Sequence, residues 1–84
     1  VVIDGKPARE VFRCDAWMAT FYDVDGAMYL DVVFNLSAAY YTVVFRLTDE
    51  EVAKCQGPEA MTAFARQAIN RSDYAARRTT DYHL

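Results

Sequence analysis

Apolar and polar residues alternate along the first half of the chain and recur at helical spacing along the second. From Phe12 to Leu36, and again from Ala39 to Leu47, the step is two, as in strands that bury one face. From Met61 the apolar positions are Phe64, Ala65, Ala68 and Ile69, at steps of three, four, seven and eight. That is the stripe of a helix lying on a sheet. Strands precede helices without βαβ alternation, which predicts an α+β fold. The expected architecture is a three-stranded antiparallel β-meander over residues 10–47, with room for a short fourth N-terminal strand. Two to three helices then pack on one face, in a single domain spanning residues 1–84.

The turns set the register. Gly26 ends Asp23-Val24-Asp25-Gly26. A three-residue loop of Val24, Asp25 and Gly26, with Gly26 left-handed, pairs Asp23 with Ala27. One face then collects Phe12, Cys14, Ala16 and Met18, opposite Met28, Leu30, Val32, Phe34 and Leu36. A two-residue Asp25-Gly26 turn shifts the register by one and swaps faces. It brings Asp15 beside Leu36 on the apolar side. The three-residue loop is preferred because it sends Arg13 and Asp15 outward. At the next turn, a Ser37-Ala38 tip pairs Leu36–Ala39, Phe34–Tyr41, Val32–Val43, Leu30–Phe45 and Met28–Leu47, all apolar or aromatic. Ahead of the meander, Val1-Val2-Ile3 followed by Asp4-Gly5 fits a further short strand and tight turn. Pro7 restricts it to an edge or lead-in.

The helical half opens with Thr48 as N-cap and Glu51 completing a capping box, with Leu47 and Val52 as a hydrophobic staple. Gly57 is read as the residue that ends this helix, and Pro58 as the first position of the next. Ser72-Asp73 can cap one more turn from Tyr74 to Arg78, and Thr79 to Leu84 are expected to fray.

Composition narrows the function classes. At 84 residues and 54% hydrophobic, the chain is too apolar to be disordered, yet no apolar run approaches the ~18 residues of a membrane span. Twelve acids against nine bases work against nucleic acid and anionic membrane as partners, and suit a neutral or basic protein. The basic residues include only Lys6 and Lys54 as lysine, and alanine is plentiful, a bias of GC-rich bacterial or phage genes. Cys14 and Cys55 read as buried thiols of a reducing cytoplasm, with a disulfide in an exported protein as the alternative. No signal peptide or lipidation motif is visible, and Val1 in place of Met leaves room for a removed leader.

Candidate chemistry is sparse. Asp23-Val24-Asp25-Gly26 begins like a calcium loop, but its twelfth position is Phe34 where Glu is needed, so a hairpin tip is expected. His83 is the only histidine and is penultimate, too close to the end to be held as a general base. A zinc site would have to combine Cys14, Cys55, His83 and carboxylates at unrelated spacings. Asp15 and Asp31 share the outer sheet face without being direct partners. Arg66, Arg71, Arg77 and Arg78 are diluted by Glu59, Asp73 and Asp81 and read as a solvated helix surface. No cofactor is expected, nor an enzymatic activity.

The outer sheet face breaks the rule of apolar inside and polar outside. In the preferred register it carries Trp17 and Phe21, then Tyr29, Asp31 and Val33, then Tyr40, Val44 and Arg46. Aromatics with Arg and little Lys are what interface centres contain. The face is expected to pair with a second copy, to bind another protein, or to lie under the terminal segments. The leading expectation is a non-enzymatic protein-interaction module, an acidic cytoplasmic protein of inhibitor, immunity or adaptor type. The rival is a small enzyme or ligand-binding subunit with Asp15, Asp31, Tyr29 and Arg46 around a cleft at a homodimer interface.

Overall fold

The computed structural model describes residues 1–15, 18–36, 39–69, 74, 76–79 and 82–83. Strands β1 (Val2–Ile3), β2 (Lys6–Pro7), β3 (Arg9–Cys14), β4 (Ala19–Val24), β5 (Ala27–Leu36) and β6 (Ala39–Arg46) come first. Helices α1 (Asp49–Lys54) and α2 (Pro58–Ala68) follow, and β7 (Tyr82–His83) closes the order. The fold is α+β. Strands β3-β4-β5-β6 form one antiparallel sheet, and β2-β1-β7 form a second, three-stranded one.

The main sheet has four strands where the alternation suggested three. The long first strand is two, because the chain reverses between Cys14 and Ala19, which face each other. Met18 sits at this reversal with φ 50° and 61% exposure, not in the core. The loop holds no Gly, Pro or Asn; its one turn-type residue is Asp15, whose carbonyl accepts from the Met18 amide at 3.3 Å. Between Glu10 and Phe12 the pairing shifts by one residue. This bulge, with exposed Arg9, Glu10 and Arg13, makes the β3 edge a poor template for another strand.

The β4–β5 connection is the two-residue turn. Val24 pairs with Ala27, and Asp25 and Gly26 both have positive φ, 52° and 87°. Two left-handed central residues make a type I′ turn, whose twist matches the flanking strands. The Asp23 carboxylate accepts from the Gly26 amide at 3.1 Å and reinforces the turn. The objection from Asp15 falls away because Asp15 lies beyond the end of β3. Ala19 and Phe21 therefore turn inward against Val32 and Leu30, while Thr20 and Tyr22 turn outward.

The second hairpin has the expected register from Leu36–Ala39 to Leu30–Phe45, and the Leu47 amide donates to the Met28 carbonyl at 2.9 Å. Ser37 and Ala38 lie outside the described residues, as do Ala16 and the Ser72-Asp73 cap.

Helix α1 starts with the capping box, both of its hydrogen bonds formed between Thr48 and Glu51. Val52 packs on the core beside Leu47. Cys55 is the C-cap of α1, and Gly57, with φ 106°, is the N-cap of α2 rather than the residue ending α1. Met61, Phe64, Ala65 and Ala68 bury the α2 stripe against the inner sheet face.

The C-terminal segment is not frayed at Tyr82 and His83. Arg78 bridges to Phe45, the Thr79 amide donates to the Val44 carbonyl at 2.7 Å, and β7 pairs with β1. Arg77 anchors the approach to this crossing. Its guanidinium donates twice to Glu51, at 2.8 and 2.9 Å, and once to the Arg46 carbonyl at 2.7 Å. It also lies over the Phe45 and Tyr74 rings, 5.2 and 5.4 Å from their centroids. One arginine thus ties the C-terminal segment to α1 and β6.

Two outcomes follow. Phe21→Ala should cost about 3–5 kcal/mol in a urea melt, the price of emptying a core site; a loss within ~0.5 kcal/mol would place Phe21 on the surface. The second concerns acid. Hydrogen bonds from Arg77 hold the Glu51 carboxyl down at about 2, against 4.5 for an ordinary Glu. The clamp's stabilisation is therefore complete above pH 4.5 and is lost as pH falls toward 2. Thermal melts should show wild type losing Tm more steeply than Glu51→Gln across that window, with parallel curves contradicting the clamp.

Candidate functional site

The outer face of the main sheet is divided. Toward the Asp25-Gly26 turn, Tyr22, Val24, Tyr29 and Val44 are buried under Ile3, with Ala8, Ala27 and Tyr82 packed around them. The cover is built from both chain ends. Asp4, left-handed at φ 54° in the β1–β2 turn, accepts from the Tyr29 hydroxyl and from the Thr79 hydroxyl, each at 2.5 Å. These two donors, Thr79 first, lower the Asp4 pKa.

Toward the other end, Thr20, Asp31, Val33 and Thr42 lie on the same side of the sheet; Thr20 is buried, Asp31, Val33 and Thr42 are half-buried, and the Tyr82 hydroxyl reaches the Thr42 carbonyl at 3.5 Å. Register places Arg13, Thr20, Asp31 and Val44 in one row across the four strands. Asp31 is half-buried, and its Oδ1 has no hydrogen-bond partner. Burial pushes its carboxyl from 3.8 up to about 6, with Arg13 opposing the rise. Arg13 is itself bridged to Glu10 at 3.2 Å, at the sheet edge. Burial also raises the Tyr22 phenol, helped by the charges of Asp31 and Glu10.

The sequence-predicted site is thus only partly assembled. Asp31 and Val33 are on the outer side of β5 and half-buried. Tyr29 and Val44 are on the same face but under the terminal segments, 6% and 0% exposed. Phe21 is a correction: it is fully buried on the helix side, carried there by the two-residue turn. Trp17 lies outside the described residues. Tyr40 pairs with Asn35 in β6, and its side chain lies outside what is described. Arg46 is exposed at the rim of a polar cleft of about 360 Å³, lined also by Asp4, Lys6, Val24, Asp25, Ala27 and Tyr29. Lys6 and Asp25 are bridged across it at 3.3 Å. Asp15 lies at the opposite end of the sheet, beside Arg13, Met18, Ala19 and Thr20. Asp15, Asp31, Tyr29 and Arg46 therefore do not share one cleft within the chain. Asp4 and Thr79 were missed; the Asp4-Gly5 turn was visible, but its tie to residue 79 spans the chain.

The remaining chemistry is structural. Asp23 accepts from Gly26 and from Arg9, as a hairpin tip does. Cys14 and Cys55 are free and buried in the helix-side core, and burial pushes the Cys55 thiol up to about 11, away from reactivity. Among the described residues, no group of three metal-ligating side chains converges. No described helix is long and apolar enough to cross a membrane.

No protein-family model, curated protein or solved structure matches the chain.

Asp31 is the point where local stability rules are broken. An acid with raised pKa binds its proton more tightly when folded, so stability rises as pH falls from above 6 toward 3.8. Solvent still reaches the group and softens the penalty to order ~1 kcal/mol. Asp31→Asn should therefore raise Tm at pH 8 by about 4–8 °C, and by nothing near pH 4. An equal Tm at both pH values would mean the carboxylate is already satisfied.

Proposed function

We propose that the protein is a non-enzymatic interaction module that binds a protein partner through the part of its outer sheet face that carries Asp31 and Val33. The observation that carries this reading is a half-buried carboxylate, Asp31, unpartnered at Oδ1 and set on an outward-facing sheet surface beside Val33. Groups that cost stability without serving the fold concentrate at sites of function. The excess of acids over bases favours a neutral or basic partner over nucleic acid or anionic lipid. This is the profile of a small bacterial or phage inhibitor, immunity or adaptor protein. Two free thiols suit work in the cytoplasm. No cofactor enters this reading.

A second reading rests on the polar cleft between Asp4, Lys6 and Arg46. There a ligand-binding or catalytic site would be completed by a second copy of the chain. The Asp31–Val33 face is preferred because Asp4, Lys6 and Asp25 already satisfy one another or their neighbours within that cleft.

Affinity capture with wild type and Val33→Asp, with light scattering on both across a concentration series, tests the proposal. The expected result is association, with itself or another protein, that Val33→Asp abolishes while keeping Tm within about 4 °C. Association indifferent to Val33→Asp, or a constant monomer mass with nothing retained, would overturn it.

A further inference from the structure

We infer that the free edge of β6 pairs with the same edge of a second copy of this chain, antiparallel about a two-fold axis at Tyr41. The inference goes beyond the reading above, because this edge and the Asp31–Val33 face are separate surfaces. Strand β6 is last in the order β3-β4-β5-β6, so one of its sides has no strand beside it among the described residues. The register says which groups that side offers. The Leu47 amide donates to the Met28 carbonyl. At steps of two from that site, Leu30–Phe45, Val32–Val43, Phe34–Tyr41 and Leu36–Ala39 are the hydrogen-bonded pairs. Tyr40, Thr42 and Val44 therefore turn their amides and carbonyls away from β5. The Val44 carbonyl accepts from the Thr79 amide at 2.7 Å, where the C-terminal segment crosses the edge beside the Phe45–Arg78 bridge. The Tyr82 hydroxyl reaches the Thr42 carbonyl only at 3.5 Å, beyond ordinary O–H···O length, and a carbonyl has a second lone pair. Among the described residues, Tyr40 and Thr42 are thus left to a ladder partner.

The two edges of the sheet differ in their defences. At β3, a bulge between Glu10 and Phe12 and the exposed charges of Arg9, Glu10 and Arg13 deter pairing. At β6 neither device is present. Its pairing with β5 is regular from Tyr29–Arg46 to Leu36–Ala39, and no charged residue or proline lies between Asp31 and Arg46. Ala39 to Val43 reads Ala-Tyr-Tyr-Thr-Val, mostly strong strand formers. The hairpin also outruns the sheet. Strand β4 ends opposite Val32, so Val33–Leu36 and Ala39–Thr42 pair only with each other among the described residues. A two-stranded ladder of that kind is stabilised by a further strand. Two features select a second copy as the occupant. A two-fold axis at Tyr41 sets Tyr40 against the partner's Thr42 and Thr42 against the partner's Tyr40, each facing pair exchanging both of its hydrogen bonds. No charge then faces a charge, although each chain carries −3. The pairing also stops itself. The joined sheet runs β3-β4-β5-β6-β6-β5-β4-β3, and both of its edges are the bulged, charged β3. A peptide added to β6 would leave its own outer edge open instead.

The test is solution mass by sedimentation equilibrium from about 10 µM to about 1 mM, which brackets weak and moderate association. It is joined by an isotope-filtered NMR spectrum of labelled and unlabelled chains mixed in equal amounts. The mass should rise from one copy to two and no further. The filtered spectrum should link the Tyr41 Hα of one copy to the same proton of the other. At the axis these residues form a non-hydrogen-bonded pair, with Cα atoms about 4.5 Å apart. Thr42→Pro removes the outward amide and leaves the β5 ladder intact. It should weaken the dimer at least about tenfold, because each copy loses a hydrogen bond. Thr42→Lys, the charge that natural edges use, should weaken it as well, and carries the test alone where the proline variant has no melting transition. A constant monomer mass, a mass climbing past two copies, or a dimer without the Tyr41 cross-peak would overturn the inference. So would self-association that Val33→Asp abolishes and the folded Thr42 variants spare, because it would belong to the Asp31–Val33 face.

Discussion

The structure turns on the Asp25-Gly26 turn. Because both residues are left-handed, the hairpin closes on Val24–Ala27, and every pair up to Ala19–Val32 follows. A shift of one residue would send Phe21 to the outer face and Tyr22 into the helix-side core. With the observed register, β4 delivers Ala19 and Phe21 to α2 and leaves Thr20, Tyr22 and Val24 on the other face. Tyr22 and Val24 thereby join Tyr29 and Val44 of β5 and β6 in an outer apolar patch that needs a second covering layer.

The cover comes from both ends of the chain. A two-residue strand pairing is too short to persist alone. Here β1 holds β2 on one side and β7 on the other, and the three lie over buried Tyr22, Tyr29 and Val44. Asp4 joins this layer to β5 through Tyr29 and to the C-terminal segment through Thr79. Arg77 fixes the same segment to α1 through Glu51, while the Phe45, Tyr74 and Phe64 rings stack behind it. Residues 2–8 and 79–83, where described, are therefore integral to the fold.

What was legible in the sequence was whatever local chemistry dictates. The capping box at Thr48 and Glu51, the α2 stripe from Met61 to Ile69 and the β5–β6 register all follow from residues close in sequence or from matched apolar faces. The β3–β4 reversal was hidden because alternation runs through it and Asp15, its one turn-type residue, reads equally as an outward strand position. The β4–β5 register was misjudged through that same error: with β3 and β4 taken as one strand, Asp15 counted against the two-residue turn that is in fact present. Of the candidate face, Asp31 and Val33 were placed correctly as outward positions of β5. The burial of Tyr29 and Val44 was not legible, since it depends on contacts between residue 3 and residue 82. The orphaned oxygen of Asp31 is likewise a product of three-dimensional packing, with no signature in the residue string.

Which β4 side chains reach the helix-side core and which reach the outer face descends from one register, which NMR reads directly. In antiparallel strands, facing residues of the non-hydrogen-bonded pairs bring their Cα atoms to about 4.5 Å, close enough for Hα–Hα cross-peaks. The account predicts such cross-peaks between Phe21 and Leu30 and between Asp23 and Met28. Cross-peaks linking Tyr22 to Met28 and Thr20 to Leu30 would contradict it, because they belong to a three-residue turn that returns Phe21 to the outer face.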